Sequence, residues 1–298
     1  MRITNHTLSE SLIRQIERRS TEQARLQSQV ATGQRITQPE DDPSAVGRVL
    51  QLESEQRRIG QFQRNADRAL ELSQASFSGL QQIKKVSDRV TEIGTLGAGA
   101  ISGAQARAYA SEVDQLVEQT LQLANTKFRN DYIFAGTAVD SPPFVATRGS
   151  DGKVASVAYG GNAERMPIQL SEHAAIEAGA SGETNLGLRD MLNRLVGLRD
   201  ALLANESSAV SGAQAGLIES EDLLVNALAE HGGVDSRIEA NRIQQQQRTD
   251  NLEGLVSAES ELDLPAAIVR LSQSQTAYQA ALQSAANIMR ISLLDYIR

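Results

Sequence analysis

Proline placement constrains this chain more than any other feature. Its only prolines are Pro39, Pro43, Pro142, Pro143, Pro167 and Pro265, so residues 44–141 and 168–264 contain none. Proline removes a backbone donor and clashes with the preceding helical turn, so each stretch is free to hold long helices. Asp42 before Pro43 is a start signal, an N-cap acceptor followed by a ring already set to helical φ. From there apolar and small residues recur at alternating steps of three and four: Ile59, Phe62, Ala66, Ala69, Ser73, Ser76, Leu80, Ile83, Ser87, Val90. This is a heptad seam with small polar members. A glycine cluster (Gly94, Gly97, Gly99, Gly103) ends it, and a further helix follows with Val113, Leu116, Thr120, Leu123 and then Phe128 on or near its seam.

The C-terminal stretch has the cleanest pattern. Asp263 and Pro265 start it, and the seam reads Ile268, Leu271, Gln275, Tyr278, Leu282, Ala285, Met289, Ser292, Tyr296. A sustained period of this kind implies left-handed supercoiling against another helix. The N-terminal stretch is weaker: Leu8, Leu12 and Ile16 are followed by polar Arg19 and Gln23, then Leu26 and Val30. Neither terminal helix can bury its stripe alone; each needs a partner, within the chain or on another chain.

Between about Asp131 and Leu186 the helical pattern stops and turn signals crowd in: Pro142-Pro143, Gly149, Asp151-Gly152, Gly160-Gly161-Asn162, Gly179, Gly182. Short candidate strands lie between them at Tyr132–Ala135, Val154–Tyr159 and Met166–Leu170. Helical pattern resumes with Leu188, Met191, Leu195, Leu198 and Leu202, then around Leu217 to Leu228 and from Val234 through Leu255. The expected fold is mainly α, an elongated long-helix bundle or coiled coil with a small inserted β-rich domain. The expected segments are an N-terminal assembly helix (1–40), one arm of the bundle (41–130), the β-rich outer domain (131–186), the second arm (187–262) and a C-terminal assembly helix (263–298).

Composition narrows the function. The 298 residues include no Cys, no Trp and ten aromatics, and the net charge is −8. Without cysteine there is no disulfide framework, thiolate metal site or thiol nucleophile. No Lys/Arg-dense stripe offers phosphate neutralisation, so nucleic acid is not expected as a partner. No apolar run approaches a membrane span, and the N-terminus lacks a secretory h-region, so any export uses a route other than a cleaved signal. The catalytic search is empty. His6, His173 and His231 stand far apart without ligand spacing and are expected to be solvated. Glu40-Asp41-Asp42 reads as a helix start, favoured over a divalent-cation cluster by the dipole at that end. Gly97-Ala98-Gly99-Ala100 imitates a dinucleotide fingerprint but lacks the third glycine and follows a helix. No catalytic residue, cofactor or metal is expected; alanine substitution of His173, Asp151 and Glu172 without functional loss would weigh against the alternative of an enzyme site in the β module.

Three motifs carry a family resemblance. Ala31-Thr32-Gly33-Gln34-Arg35-Ile36-Thr37-Gln38-Pro39-Glu40-Asp41-Asp42-Pro43-Ser44 resembles the "S-G-K-R-I-N-x-x-x-D-D-P-A" run that ends the first helix of bacterial flagellins and their relatives. Gly33, Arg35, Ile36, Asp41, Asp42 and Pro43 match in register, while Gln34 and Thr37 replace Lys and Asn. Tyr132-Ile133-Phe134-Ala135-Gly136-Thr137 with Pro142-Pro143-Phe144 resembles the outer-domain entry "Y-L-F-G-G-T … P-P-F" of the hook-associated type 3 branch of that family. Ser292-Leu293-Leu294-Asp295-Tyr296-Ile297 resembles that branch's "S-L-L-D-Y-L" tail, whereas flagellins proper end in a "P-Q-x-x-L-x-L-L" pattern absent here. The flagellin stretch "R-V-R-E-L", read by an innate immune receptor, has Thr91 for its second Arg within Arg89–Ile93, and no such recognition is expected.

The resemblance implies a structural adaptor at the hook–filament junction of the bacterial flagellum, exported unfolded through the flagellar type III channel to the cell exterior. The alternatives are a filament subunit and an intracellular coiled-coil scaffold. The implied partners are copies of itself in a ring, the type 1 hook-associated protein on the hook side, flagellin on the filament side, and an export chaperone. The implied assembly interface comprises Leu8, Leu12, Ile16, Leu26 and Val30 on the first helix. On the last helix it comprises Leu271, Tyr278, Leu282, Ala285, Met289, Leu293 and Tyr296. Asp41, Asp42 and Pro43 form the helix-start turn, and Tyr132, Phe134, Gly136, Pro143 and Phe144 the β-domain entry. Because the N-terminal seam is interrupted, the terminal helices are expected to order only on assembly.

Overall fold

The structure, a computed structural model, describes the backbone of residues 3–99 and 101–296 and the side chains of residues 10–99 and 101–287. Its elements are α1 (Ile3–Thr32), α2 (Pro43–Ala98), α3 (Gly103–Ala124), β1 (Lys127–Phe128), β2 (Asp131–Tyr132), β3 (Phe144–Arg148), β4 (Val154–Tyr159), β5 (Pro167–Gln169), β6 (Ala175–Glu177), α4 (Gly182–Ala204), α5 (Ser207–Ser260) and α6 (Leu264–Tyr296). The chain is mainly α with a small β part. It divides into two units, residues 59–246 and residues 1–58 with 247–298.

The unit of residues 59–246 holds the larger core. The seam read along α2 is buried at every position except half-buried Phe62. On α4, Leu188, Met191, Leu195, Leu198 and Leu202 are each no more than 1% exposed. Both helices therefore follow the heptad spacing closely, and α4 packs on α3 and on β4. Ser181 caps α4 by accepting from the Thr184 amide, and Asn205 ends it in the left-handed region at φ 55°.

α3 departs from its expected seam. Ser102 and Gln105 form a capping box at its start. Its buried stripe is Ala106, Ala110, Val113, Val117, Leu121 and Ala124 with Thr120, while Leu116 and Leu123 are only partly buried. The helix meets β3 and β4 as well as α4, which rotates the stripe toward alanines that a count of large apolar residues passes over.

The β part consists of three separate two-stranded antiparallel pairs, β1–β2, β3–β4 and β5–β6. β4 has the bounds expected for it, and β5 is the core of the expected 166–170 strand. The expected strand at Tyr132–Ala135 is instead a turn after Tyr132, because Ile133, Phe134 and Ala135 all plunge into the core. β1, β3 and β6 lack a strong strand pattern. The β1–β2 turn uses Arg129 and Asn130, both at positive φ, where the usual hairpin signal is glycine. Asparagines finish the edges: Asn193 of α4 accepts from the Val157 amide and donates to its carbonyl, both at 2.9 Å. Such a side-chain amide substitutes for a missing neighbouring strand.

His231, expected in solvent, is buried at 4% exposure, with Nδ1 3.0 Å from the Ser73 hydroxyl. The seam positions on either side of Ser73 are small, which leaves room for an imidazole between α2 and α5. Packing in this unit sets the scale for substitution. Leu195→Ala is expected to destabilise it by about 2–5 kcal/mol, the cost of a buried leucine with its cavity. Ile243→Ala, at a side chain 59% exposed, is expected to change stability by under about 0.5 kcal/mol. Thermal melting of the two purified variants checks the contrast.

Candidate assembly site

The unit of residues 1–58 and 247–298 is built around two inter-helix turns. α1 ends at Thr32, and Gly33 takes φ +71° while its amide donates to the Gln29 carbonyl at 2.8 Å. A left-handed residue after a helix is the ordinary glycine stop. Within the following turn, Asp41 Oδ2 accepts from the Thr37 amide at 3.0 Å, the Thr37 hydroxyl at 3.0 Å and the Gln38 amide at 2.9 Å. Asp42 Oδ1 accepts from the Ala45 amide at 3.0 Å and the Ser44 hydroxyl at 2.9 Å, and Oδ2 from Arg35 Nη1 at 3.2 Å. Asp42 is thus the N-cap of α2 with Pro43 at the first helical position. The Ala45 amide, then Ser44 and Arg35, hold its carboxyl well below the usual range, at about 2. The amides of Gln38 and Thr37 lower Asp41 in the same direction.

The second turn lies directly against the first. Gln34 and Glu261 form an antiparallel bridge. The Arg35 amide donates to the Ser260 carbonyl at 2.7 Å, and the Leu262 amide donates to the Gly33 carbonyl at 3.0 Å. Arg35 Nη2 donates to the Glu259 carbonyl at 2.8 Å, placing a cation at the negative end of α5. Arg48 on α2 grips the Glu259 carboxylate with two bonds of 2.9 Å, which lowers that carboxyl's pKa. Asp263 then caps α6 by accepting from the Ala266 amide at 3.1 Å. The result is one clasp joining the end of α1, the start of α2, the end of α5 and the start of α6.

From this clasp α1 and α6, expected to order only on assembly, instead run against each other within the one chain, because the clasp fixes the end of one beside the start of the other. On α1, Leu26 is buried, and Leu12, Ile16 and Val30 are half-buried. On α6, Ala285 is buried and Leu271 and Tyr278 are half-buried, but Ile268, Gln275 and Leu282 face outward. The inward stripe reads Ala267, Leu271, Ser274, Tyr278, Ala281, Ala285, so the α6 seam is corrected at every second position. Small residues there let the two backbones approach, and the large side chains beside them are displaced to the rim. Ile13, Ile268 and Leu282 remain 44%, 54% and 42% exposed. Leu8, Met289, Leu293 and Tyr296 lie outside the described side chains. Beside the clasp is an open groove of about 670 Å³ lined by residues that include Arg25, Leu26, Asp41, Asp263 and Arg270.

The β-domain entry motif belongs to the other unit and is a self-contained lock. Phe134 and Phe144 are fully buried and Pro143 is buried; Tyr132 is half-buried in β2. Gly136 has φ +69°, and a Cβ there would lie 2.2 Å from Asn162 Oδ1, so only glycine fits. Asn162 accepts from the Thr137 amide at 2.9 Å, and the Tyr159 hydroxyl donates to the Phe134 carbonyl at 3.1 Å. Asn125, at the end of α3, accepts from the Phe144 amide at 3.0 Å and donates to its carbonyl at 2.9 Å.

These motifs coincide with a match of residues 3–139 to the family described as the bacterial flagellin N-terminal helical region. Residues 3–139 are similar to that flagellin region. That region spans the first half of the clasp and reaches through the Tyr132–Gly136 turn. Among curated relatives, the flagellar hook-associated protein 3 of Escherichia coli is 26% identical over 61% of this chain and 56% of its own length. The protein of that name from Salmonella typhimurium is 30% identical over 53% and 50% respectively. The chain thus spans about half the length of these two relatives. The flagellar filament 33 kDa core protein of Treponema phagedenis is 23% identical over 90% of both chains. A Vibrio parahaemolyticus chain solved as a candidate flagellar hook-associated protein shares the fold, with TM-score 0.67, 16% identity, and 74% of this chain and all of that one covered.

Sequence reading named Arg35, Asp41 and Asp42 but missed Arg48 and Glu259, whose meeting depends on residues more than 200 positions apart. Asn125 and Asn162 were also missed; Asn162 follows two glycines, a turn signal without a stated partner. Asp42→Ala is expected to lower the melting temperature by a few degrees, while Asp42→Asn, still a capping side chain, keeps most of it. The carboxyl is held below its ordinary value of 3.8, so its contribution is present above 3.8 and lost as pH falls toward about 2. The gap between the natural chain and Asp42→Ala is therefore expected to close across that interval in pH-resolved melts.

Proposed function

We propose that this chain is a non-catalytic structural adaptor that joins hook to filament in the bacterial flagellum, working outside the cell. The single observation that carries the reading is the clasped α1–α6 pair with its exposed apolar rim, in a chain whose flagellin region resembles that of the hook-associated protein 3 relatives. Leu12, Ile16, Leu26, Val30, Leu271, Tyr278 and Ala285 hold the pair together. Ile13, Ile268 and Leu282 are left for neighbouring subunits, and contacts with them add the buried area that the lone pair lacks. The partners on this reading are further copies in a ring, the type 1 hook-associated protein toward the hook, flagellin toward the filament, and a chaperone before export. Among the described residues no helix is long and apolar enough to cross a membrane. The second reading, a filament subunit, is favoured by the extent of the Treponema phagedenis match.

Deletion of the gene separates the two. For an adaptor, hooks remain, flagellin is shed into the medium and swimming stops; for a filament subunit, no flagellin is shed. Full motility of the deletion strain would overturn both. Leu282→Asp is expected to block incorporation into flagella, scored on isolated hook–filament particles, while leaving the melting of the 59–246 unit unchanged. Normal incorporation of that variant would remove the α6 rim from the interface.

A further inference from the structure

The buried imidazole of His231 has no part in the clasp or in the entry motif. It sits on α5 in the 59–246 unit at 4% exposure, beside Ser73 of α2, which is fully buried. Their side chains meet at 3.0 Å. One turn further along the same face of α5, Asp235 keeps a buried carboxylate oxygen, Oδ1, without a hydrogen-bond partner. Asp235 as a whole is half-buried, and a shielded carboxylate oxygen without a partner favours a nearby cation.

We infer that Ser73, His231 and Asp235 form a proton-operated tie between α2 and α5. With a neutral ring, the imidazole and the Ser73 hydroxyl join the two helices. A proton on the ring creates a buried cation against α2, which answers it only with a hydroxyl. The proton leaves Nδ1 able only to donate, so it can no longer accept from the Ser73 hydroxyl, and Asp235 on α5 offsets the cost of the buried charge only in part.

The surroundings set the direction. Burial opposes the charged ring most strongly; Glu230 and Asp235 on α5 favour it, and Arg165, ahead of β5, disfavours it. Glu230 is itself engaged by Arg165 at 2.6 Å, and Arg165 also pairs with Glu177 of β6 at 2.9 Å. Among the described residues, α2 brings the neutral Ser73 to the ring. The net effect lowers the imidazole below its ordinary 6.5. A histidine lowered in this way contributes stability that is present above 6.5 and is lost as pH falls below it, because the unfolded chain then binds the proton first.

The test is a pH titration of the full chain, following imidazole signals by NMR and melting temperature in parallel. His231, assigned by the signal lost in His231→Asn, is expected to titrate below 6.5. The melting temperature is expected to fall by several degrees between pH 7.5 and 5.5. His231→Asn keeps a hydrogen-bonding group for Ser73 but takes no proton, and is expected to level that fall. Asp235→Asn is expected to push the titration lower still. A His231 titration at or above 6.5, an undiminished fall in His231→Asn, or an unmoved titration in Asp235→Asn would overturn the inference. If His231→Asn does not fold, the signal lost from a spectrum of His231→Gln gives the assignment, and the titration of the natural chain decides.

Discussion

The backbone bridge between Gln34 and Glu261 is the constraint on which the unit of residues 1–58 and 247–298 depends. It brings together two turns that are distant in sequence, and two backbone hydrogen bonds and the Arg35 guanidinium hold them side by side. An isolated pair of helices with seams as imperfect as those of α1 and α6 is marginal, since nucleation is costly and ordering consumes about 1–2 kcal/mol per residue. Fixing the end of one beside the start of the other removes much of the cost of bringing them together, so pairing can spread outward from the clasp. The ion pairs at the clasp are partly exposed and individually weak. The backbone bonds and the two aspartate caps give the junction its geometry.

The 59–246 unit works differently. Its helices bury long runs of leucine, valine and isoleucine, and its strands form only separate two-stranded pairs. Asn125 and Asn193 fasten strands to the helices at Phe144 and Val157, and Asn162 and Tyr159 hold the turn around Gly136. This division suits an adaptor. One unit keeps its shape through its own core, and the other carries a helix pair with an exposed apolar rim.

Much of the fold was legible because heptad spacing is a local signal. The seam from Ile59 to Val90 and the leucines of α4 are buried as their spacing implies. The same reasoning failed where small residues decide the packing. Ala267 and Ala281 take the inner face of α6 from Ile268 and Leu282, and Ala106, Ala110 and Ala124 shift the face of α3. Short hairpins escaped because β1 and β6 are too brief to show alternation, because β3 buries only Phe144 of its five residues, and because Arg129-Asn130 turns without glycine. His231 was misread as solvated, since nothing local to it announces the cavity that Ser73 and its small neighbours leave. At the clasp, Asp42-Pro43 could be read as a helix start and Arg35 as part of a motif. Their joint role could not, because Glu259 and Arg48 are selected by tertiary proximity and carry no pattern of their own.

The central claim is that α1 and α6 of one chain stay clasped and offer their shared apolar rim to neighbours. Cryo-electron microscopy of isolated hook–filament junctions tests it most directly. The expected map shows Gln34 facing Glu261 within each subunit, α1 beside α6 of the same chain, and Ile268 and Leu282 covered by an adjacent subunit. A map in which α1 pairs with α6 of a different chain, or in which Ile268 and Leu282 face solvent, would contradict it.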